Sequence, residues 1–141
     1  MLQRIQSIWL LLAAVFAVIT FSLPFYSGDR IIDELNNFTS FMDLNAKSNI
    51  WLSILTAASA AIAFITIFLF ENRKLQLRLC YLGIFITVLL LILYFRETNY
   101  FASGNFALTS ILHFGVLAFY ILAARGIWKD NKLIKSMDRL R

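Results

Sequence analysis

Along this chain, long stretches free of Asp, Glu, Lys and Arg alternate with short charged segments. Four such stretches occur, at residues 5–28, 48–70, 79–95 and 98–124, with the densest apolar cores at 8–23 in the first and 106–124 in the fourth. A helix needs about 20 apolar residues to cross the hydrocarbon core of a bilayer. The pattern therefore predicts four membrane-spanning helices, at about 5–26, 49–70, 79–95 and 106–124. The third is short, at 17 residues, and has to borrow from its flanks. Runs such as VLLLILYF at 88–95 are continuous. A membrane barrel would instead alternate apolar and polar positions over about 10 residues per strand. Pro24 marks the place where the first span leaves its helix.

The segments between the spans complete the expected architecture: an all-α, antiparallel bundle of four transmembrane helices in a single domain, 1–141, with a basic amphipathic tail helix at 125–141. The connection at 71–78 is eight residues long and has no Gly or Pro, so it makes the second and third spans neighbours. The segment at 27–46 is the largest soluble piece, with room for a short helix near 29–36. The first apolar run is longer than a signal-peptide core and no A-x-A-like cleavage site follows it, so it reads as a retained span. In the tail, Leu133, Ile134, Met137 and Leu140 form a helical stripe, with Lys132, Lys135, Arg139 and Arg141 on the other faces. Such a helix suits the surface of the inner leaflet.

Composition agrees. Of the 141 residues, 60% are hydrophobic and 15% charged, and the mean hydropathy is +0.75. A soluble globule this small has too much surface to hide that excess. The net charge is +5, and its distribution matters more than its sum. With four spans, both termini and the 71–78 connection share one side. That side carries ten of the thirteen basic residues and a net charge of +7, against −2 on the other. The positive-inside rule places it in the cytoplasm. The expected location is a bacterial inner membrane, with anionic lipid of the inner leaflet as one partner and a protein partner or a second copy as another. Nucleic acid is not an expected partner, nor is any cofactor.

Few residues offer chemistry. One cysteine (Cys80) and one histidine (His113) exclude an internal disulfide, a multi-cysteine metal site and paired haem ligands. No span core holds an ionisable residue of the kind that ion-coupled transport keeps at membrane depth. No H-E-x-x-H or phosphate-binding loop occurs, and neither catalytic nor metal-ligating residues are assigned. His113 is the exception in the fourth span. Thr109 lies one turn before it, and Ser53 and Thr56 lie at similar depth in the second span, so these four form a candidate intramembrane polar contact. It reads as an interhelical hydrogen bond or as a ligand or proton contact. Small residues four apart, Ala57 and Ala61 after Ser53, Ser59 with Ala63, and Ala13 with Ala17 in the first span, are candidates for close helix packing. The candidate cytoplasmic docking face is Arg4, Arg73, Lys74, Arg78, Arg125, Lys129, Lys132, Lys135 and Arg139.

Three blocks, MLQRIQSIWLLLA (1–13), FENRKLQLRLC (70–80) and ARGIWKDNKLIKSMDRLR (124–141), resemble the domain-of-unknown-function 4293 family of small bacterial integral membrane proteins. The resemblance spans nearly the whole chain. It implies four transmembrane helices and an inner-membrane location, and no assigned reaction, ligand or partner. All three blocks fall on the expected cytoplasmic side. The resulting expectation is a non-enzymatic accessory or assembly subunit that docks through its basic face. The alternative is a small-solute or lipid channel or transporter lined by the His113 face.

Overall fold

A computed structural model of the chain describes residues 3–33, 38–69 and 72–138. Each charge-free stretch corresponds to one helix, and α1, α3 and α4 run beyond theirs into charged sequence: α1 (Gln3–Thr20), α2 (Ile50–Phe68), α3 (Arg73–Thr98) and α4 (Ser110–Asp138). Of these, α2, α3 and α4 are long and apolar enough to cross a membrane, whereas the apolar part of α1, Ile5–Thr20, is shorter. The helices pack in a ring, α1 on α2, α2 on α3, α3 on α4 and α4 back on α1. The start of α1 meets the later part of α4 through Gln6 and Asp130, and the ends of α2 and α3 meet through Asn49 with Glu97 and Thr66 with Gln76, so both pairs run antiparallel.

Local chemistry explains where the helices begin and end. Asn49 caps α2: its side-chain oxygen accepts from the Trp51 amide at 3.1 Å, satisfying a donor the first turn leaves free. Its amide nitrogen donates to Glu97 at 2.9 Å, which ties the start of α2 to the end of α3. Just before it, Asn45 and Ser48 cap the short helical turn Ala46–Ser48 reciprocally. α1 stops four residues before Pro24, whose ring disfavours helical backbone in the residue before it.

The buried face of every helix repeats at alternating steps of three and four. In α1 the buried positions are Gln6, Leu10, Ala13, Ala17 and Thr20; in α2 they are Leu52, Thr56, Ser59, Ala63 and Thr66. In α3 they run Gln76, Cys80, Gly83, Thr87, Leu90 and Tyr94, with Leu91 beside them. In α4 they run His113, Val116, Tyr120, Ala123, Ile127 and Asp130, with Ala124 alongside. A 3.5-residue repeat is the seam of left-handed helix packing. Here it is filled largely by small and hydroxyl-bearing residues, while large apolar side chains such as Phe64, Phe68, Phe85, Ile92 and Ile111 point outward. That inverts a soluble bundle and fits a lipid surround, where small interfacial residues let backbones approach.

The fold is not purely all-α. Three strands, β1 (Tyr26–Asp33), β2 (Phe38–Leu44) and β3 (Phe101–Phe106), form an antiparallel sheet in the order β2-β1-β3. The short helix expected near 29–36 is replaced by β1 up to Asp33, and residues 34–37 lie outside the described set. The fourth stretch splits as well: β3 occupies its start, and α4 begins only at Ser110. The cause is long-range pairing. β3 has the sequence FASGNF, poor in β-branched residues, and holds its extended form by bonding to β1, with Gly28 opposite Gly104. A Cβ on Gly28 would meet the Ser103 carbonyl oxygen at 2.1 Å, so this backbone approach requires glycine. The Tyr26 ring covers Gly104 from the neighbouring strand.

The expected tail helix also differs. α4 continues without a break from Ser110 to Asp138, so the tail is its C-terminal end and not a separate element. No proline interrupts residues 110–138, and nothing else stops the amide ladder. At 1.5 Å per residue its 29 residues span about 43 Å, longer than the apolar core of a bilayer at about 30 Å.

Candidate functional site

Two places in the molecule gather polar chemistry. The first lies within the helix ring, near its sheet end. His113 is 2% exposed, and neither ring nitrogen has a hydrogen-bond partner. Aromatic edges surround it: Tyr94 at 4.8 Å and Phe25 at 5.1 Å between ring centroids, both at steep angles. The Tyr94 hydroxyl is likewise buried and unpartnered. Beside His113 is a small cavity of about 10 Å³, lined among others by Thr20, Thr56, Ser59 and Thr87. Thr20, Thr56 and Thr87 turn their hydroxyl protons back onto their own helices, onto the carbonyls of Ala17 (3.0 Å), Leu52 (2.7 Å) and Gly83 (2.7 Å). With those hydroxyls turned away and Ala17, Leu90, Leu91 and Val116 beside them, the cavity wall is almost wholly apolar.

Of the expected polar contact, then, His113 and Thr56 share this cavity. Thr109 and Ser53 do not. Thr109 precedes α4, and its hydroxyl donates to the Pro24 carbonyl, fastening the sheet to the entry of α4. Ser53 donates to the Ala46 carbonyl at 2.7 Å, fastening the short helical turn to α2. Among the packing candidates, Ala13, Ala17, Ser59 and Ala63 are buried, while Ala57 and Ala61 are exposed. The buried row of α2 runs through Thr56, Ser59 and Ala63. A step of four drifts around a helix, and only alternation of three and four stays on one seam.

The second place is the opposite end, which holds most of the cations. Lys74, Arg78, Arg125, Lys129 and Lys132 are exposed there, and Arg73 is half-buried in the first turn of α3. Arg4 and Lys135 belong to α1 and α4, but their side chains lie outside the described set, as does Arg139 entirely. Between α3 and α4 at this end is an open groove of about 390 Å³. Tyr81, Trp128 and Leu77 form its floor, and Lys74, Arg78 and Lys132 stand on its walls. The Lys132 ammonium sits 5.7 Å from the Trp128 ring centre, a cation–π contact. The groove continues into a second hollow of about 270 Å³ against Ile84, Ile121 and Ala124, sharing Tyr81 and Trp128 and adding Arg125.

The matching family model is described as a domain of unknown function (DUF4293), and it covers residues 2–140. The chain belongs to the DUF4293 family. No curated protein and no solved structure matches it.

The structure of this DUF4293 protein also carries polar pairs that span counting passes over. At the basic end, Gln6 donates to Asp130, both buried, and Gly126 leaves the space for the Gln6 side chain. Gln76 donates to the Thr66 carbonyl at 3.2 Å, joining α3 to α2. In mid-ring, the Tyr120 hydroxyl donates to the Ser59 carbonyl at 2.6 Å, crossing from α4 to α2 over Gly83 of α3. At the sheet end, Glu97 takes the Asn49 amide and pairs with Arg30 at 3.7 Å. The signal for the buried ones is their spacing: each polar residue falls on a three-four row within an otherwise apolar helix. Among the described residues, no group of three or more His, Cys, Asp or Glu is placed to hold a metal.

Proposed function

We propose that this protein is a non-enzymatic accessory or assembly subunit of a bacterial inner membrane. Its four helices cross the bilayer, both termini lie in the cytoplasm, and it docks through its basic face. The observation that carries the reading is the charge asymmetry along the helix ring. Lys74, Arg78, Arg125, Lys129 and Lys132 stand exposed at one end, against Lys47 and Arg96 at the other, where Arg30 is paired with Glu97. Cations of this kind favour the cytoplasmic leaflet, where each contributes about 1 kcal/mol near anionic lipid. The outward-facing phenylalanines and isoleucines of the helices support immersion in lipid.

The alternative, a solute or lipid path lined by the His113 face, has less support. The cavity beside His113 is small, about 10 Å³, its lining is almost wholly apolar, and the Thr20, Thr56 and Thr87 hydroxyls are bonded within their own helices. The deciding experiment replaces Arg73, Lys74, Arg78, Arg125, Lys129 and Lys132 by Gln and follows membrane insertion, retained anionic lipid and co-purified protein in mild detergent. The reading expects normal insertion with loss of lipid or of a stoichiometric partner. Unchanged retention of both in an inserted protein sinks it.

A further inference from the structure

The groove between α3 and α4 has a division of character that a general basic surface lacks. Its outer half carries Lys74 and Arg78, one turn apart on α3, facing Lys132 on α4. Among the described residues, no carboxylate lines that half. Its inner half is apolar, walled by Ile84 and Ile121, and runs along the two helices toward the middle of the spans. Tyr81 and Trp128 belong to both halves and mark the level where charge gives way to hydrocarbon. Amphipathic rings settle at that level in a bilayer.

A free anion would use only the outer half, and an apolar ligand only the inner one. A phospholipid uses both. The geometry points to a specific site for an anionic phospholipid: its phosphate headgroup lies between Lys74, Arg78 and Lys132, its glycerol at Tyr81 and Trp128, and an acyl chain along Ile84 and Ile121. Arg78 offers a planar guanidinium that can donate two parallel hydrogen bonds to one phosphate, while the lysines act as point charges. With Arg125 bordering the apolar half, four cations surround the groove, so a headgroup with two phosphates is preferred over one with a single phosphate. The groove opens sideways between two helices at the basic end, which is the setting for lipid headgroup recognition on a cytoplasmic face. This inference rests on the membrane orientation proposed above, because only there does the inner half of the groove meet acyl chains.

Native mass spectrometry of the detergent-solubilised protein tests it, with diphosphatidylglycerol, phosphatidylglycerol and phosphatidylethanolamine added in turn. Two charge-matched variants are compared, K74Q/R78Q in the groove and R73Q/K129Q outside it; Lys129 lines a different hollow, beside Gln6 and Asp130. Lys74 and Arg78 are exposed, so the fold survives their loss. The site predicts affinity in the order diphosphatidylglycerol, phosphatidylglycerol, phosphatidylethanolamine. It also predicts a loss of about fivefold per groove cation, or about 25-fold for K74Q/R78Q, and a clearly smaller loss for R73Q/K129Q, whose cations lie on the basic face outside the groove. Equal losses in both variants overturn the site and leave the basic-face reading standing. No loss in either overturns the site and leaves the basic-face reading to the partner arm of its own experiment. Displacement of the lipid by millimolar inorganic phosphate overturns the lipid assignment in favour of a free-phosphate site. W128L removes the ring under Lys132 and is expected to weaken lipid binding without changing membrane insertion.

Discussion

Gly83 sets how closely α3 and α4 approach. A Cβ there would stand 2.3 Å from Cε1 of Tyr120, whose ring is fully buried and whose hydroxyl reaches the Ser59 carbonyl beyond it. Gly83→Ala is therefore expected to destabilise the protein by about 1–3 kcal/mol, as overpacking does. Gly115 is a milder case: its Cβ would meet the end of the Phe16 side chain at 3.1 Å, and Gly115→Ala should cost less. Tyr120→Phe keeps the ring and removes one interhelical hydrogen bond, worth about 0.6 kcal/mol on average in membrane helices. Thermal unfolding of the three variants in one detergent gives the order, with Gly83→Ala lowest; equal melting temperatures for Gly83→Ala and Gly115→Ala would remove the notch from the account. At His113 the expectation reverses. Both nitrogens are buried without a partner, so an apolar residue of similar size loses little. His113→Leu is predicted to fold with stability within about 1 kcal/mol of the starting protein, measured in the same way. A larger loss would mean that the imidazole holds a hydrogen bond essential to the ring.

The helices and the strands differ in how much of them is legible from the chain. A helix that crosses lipid must be long, continuous and largely free of charge, so each charge gap locates one helix, although α3 and α4 run past their gaps and α1 stops short of its own. The sheet leaves no comparable mark. β3 contains Ser103, Gly104 and Asn105, which are uncharged without being apolar, so a search for charge merges them with the span that follows. Their extended form comes from β1, about 75 positions earlier in the chain, and no local pattern reports that partner. The small residues show a related failure. A count of four picks out two pairs on α2: Ser59 and Ala63 face inward, whereas Ala57 and Ala61 face outward, because only the first pair lies on the three-four row with Thr56. The buried polar rows were readable from that alternation, since Gln76, Cys80, Gly83 and Thr87 stand out against their neighbours. What no spacing reveals is that Thr109 and Ser53 spend their hydroxyls on Pro24 and Ala46. At this scale the Gly28–Gly104 pair is the test: Gly28→Val places a branched side chain against the Ser103 carbonyl. Amide hydrogen exchange is expected to quicken at 101–106 while α2 and α3 keep their protection. Unchanged exchange at β3 would show that the pair does not hold the sheet together.

For the whole molecule, burial and charge divide the chain along its length. Small and polar residues line the ring, large apolar ones face outward, a three-stranded sheet covers one end, and a basic groove opens at the other. The proposed function depends on which way this object sits in a bilayer. Cys80 is buried and is the chain's sole cysteine, so a Cys80→Ser background gives a clean start for labelling. Single replacements there, Asn105→Cys on the sheet and Lys132→Cys beside the groove, report the two ends separately. With a membrane-impermeant maleimide on cells whose inner membrane is intact but whose outer face is accessible, the account predicts labelling of the Asn105→Cys protein and none of the Lys132→Cys protein until the membrane is opened. Labelling of the Lys132→Cys protein in intact cells, or of both proteins equally, would contradict it.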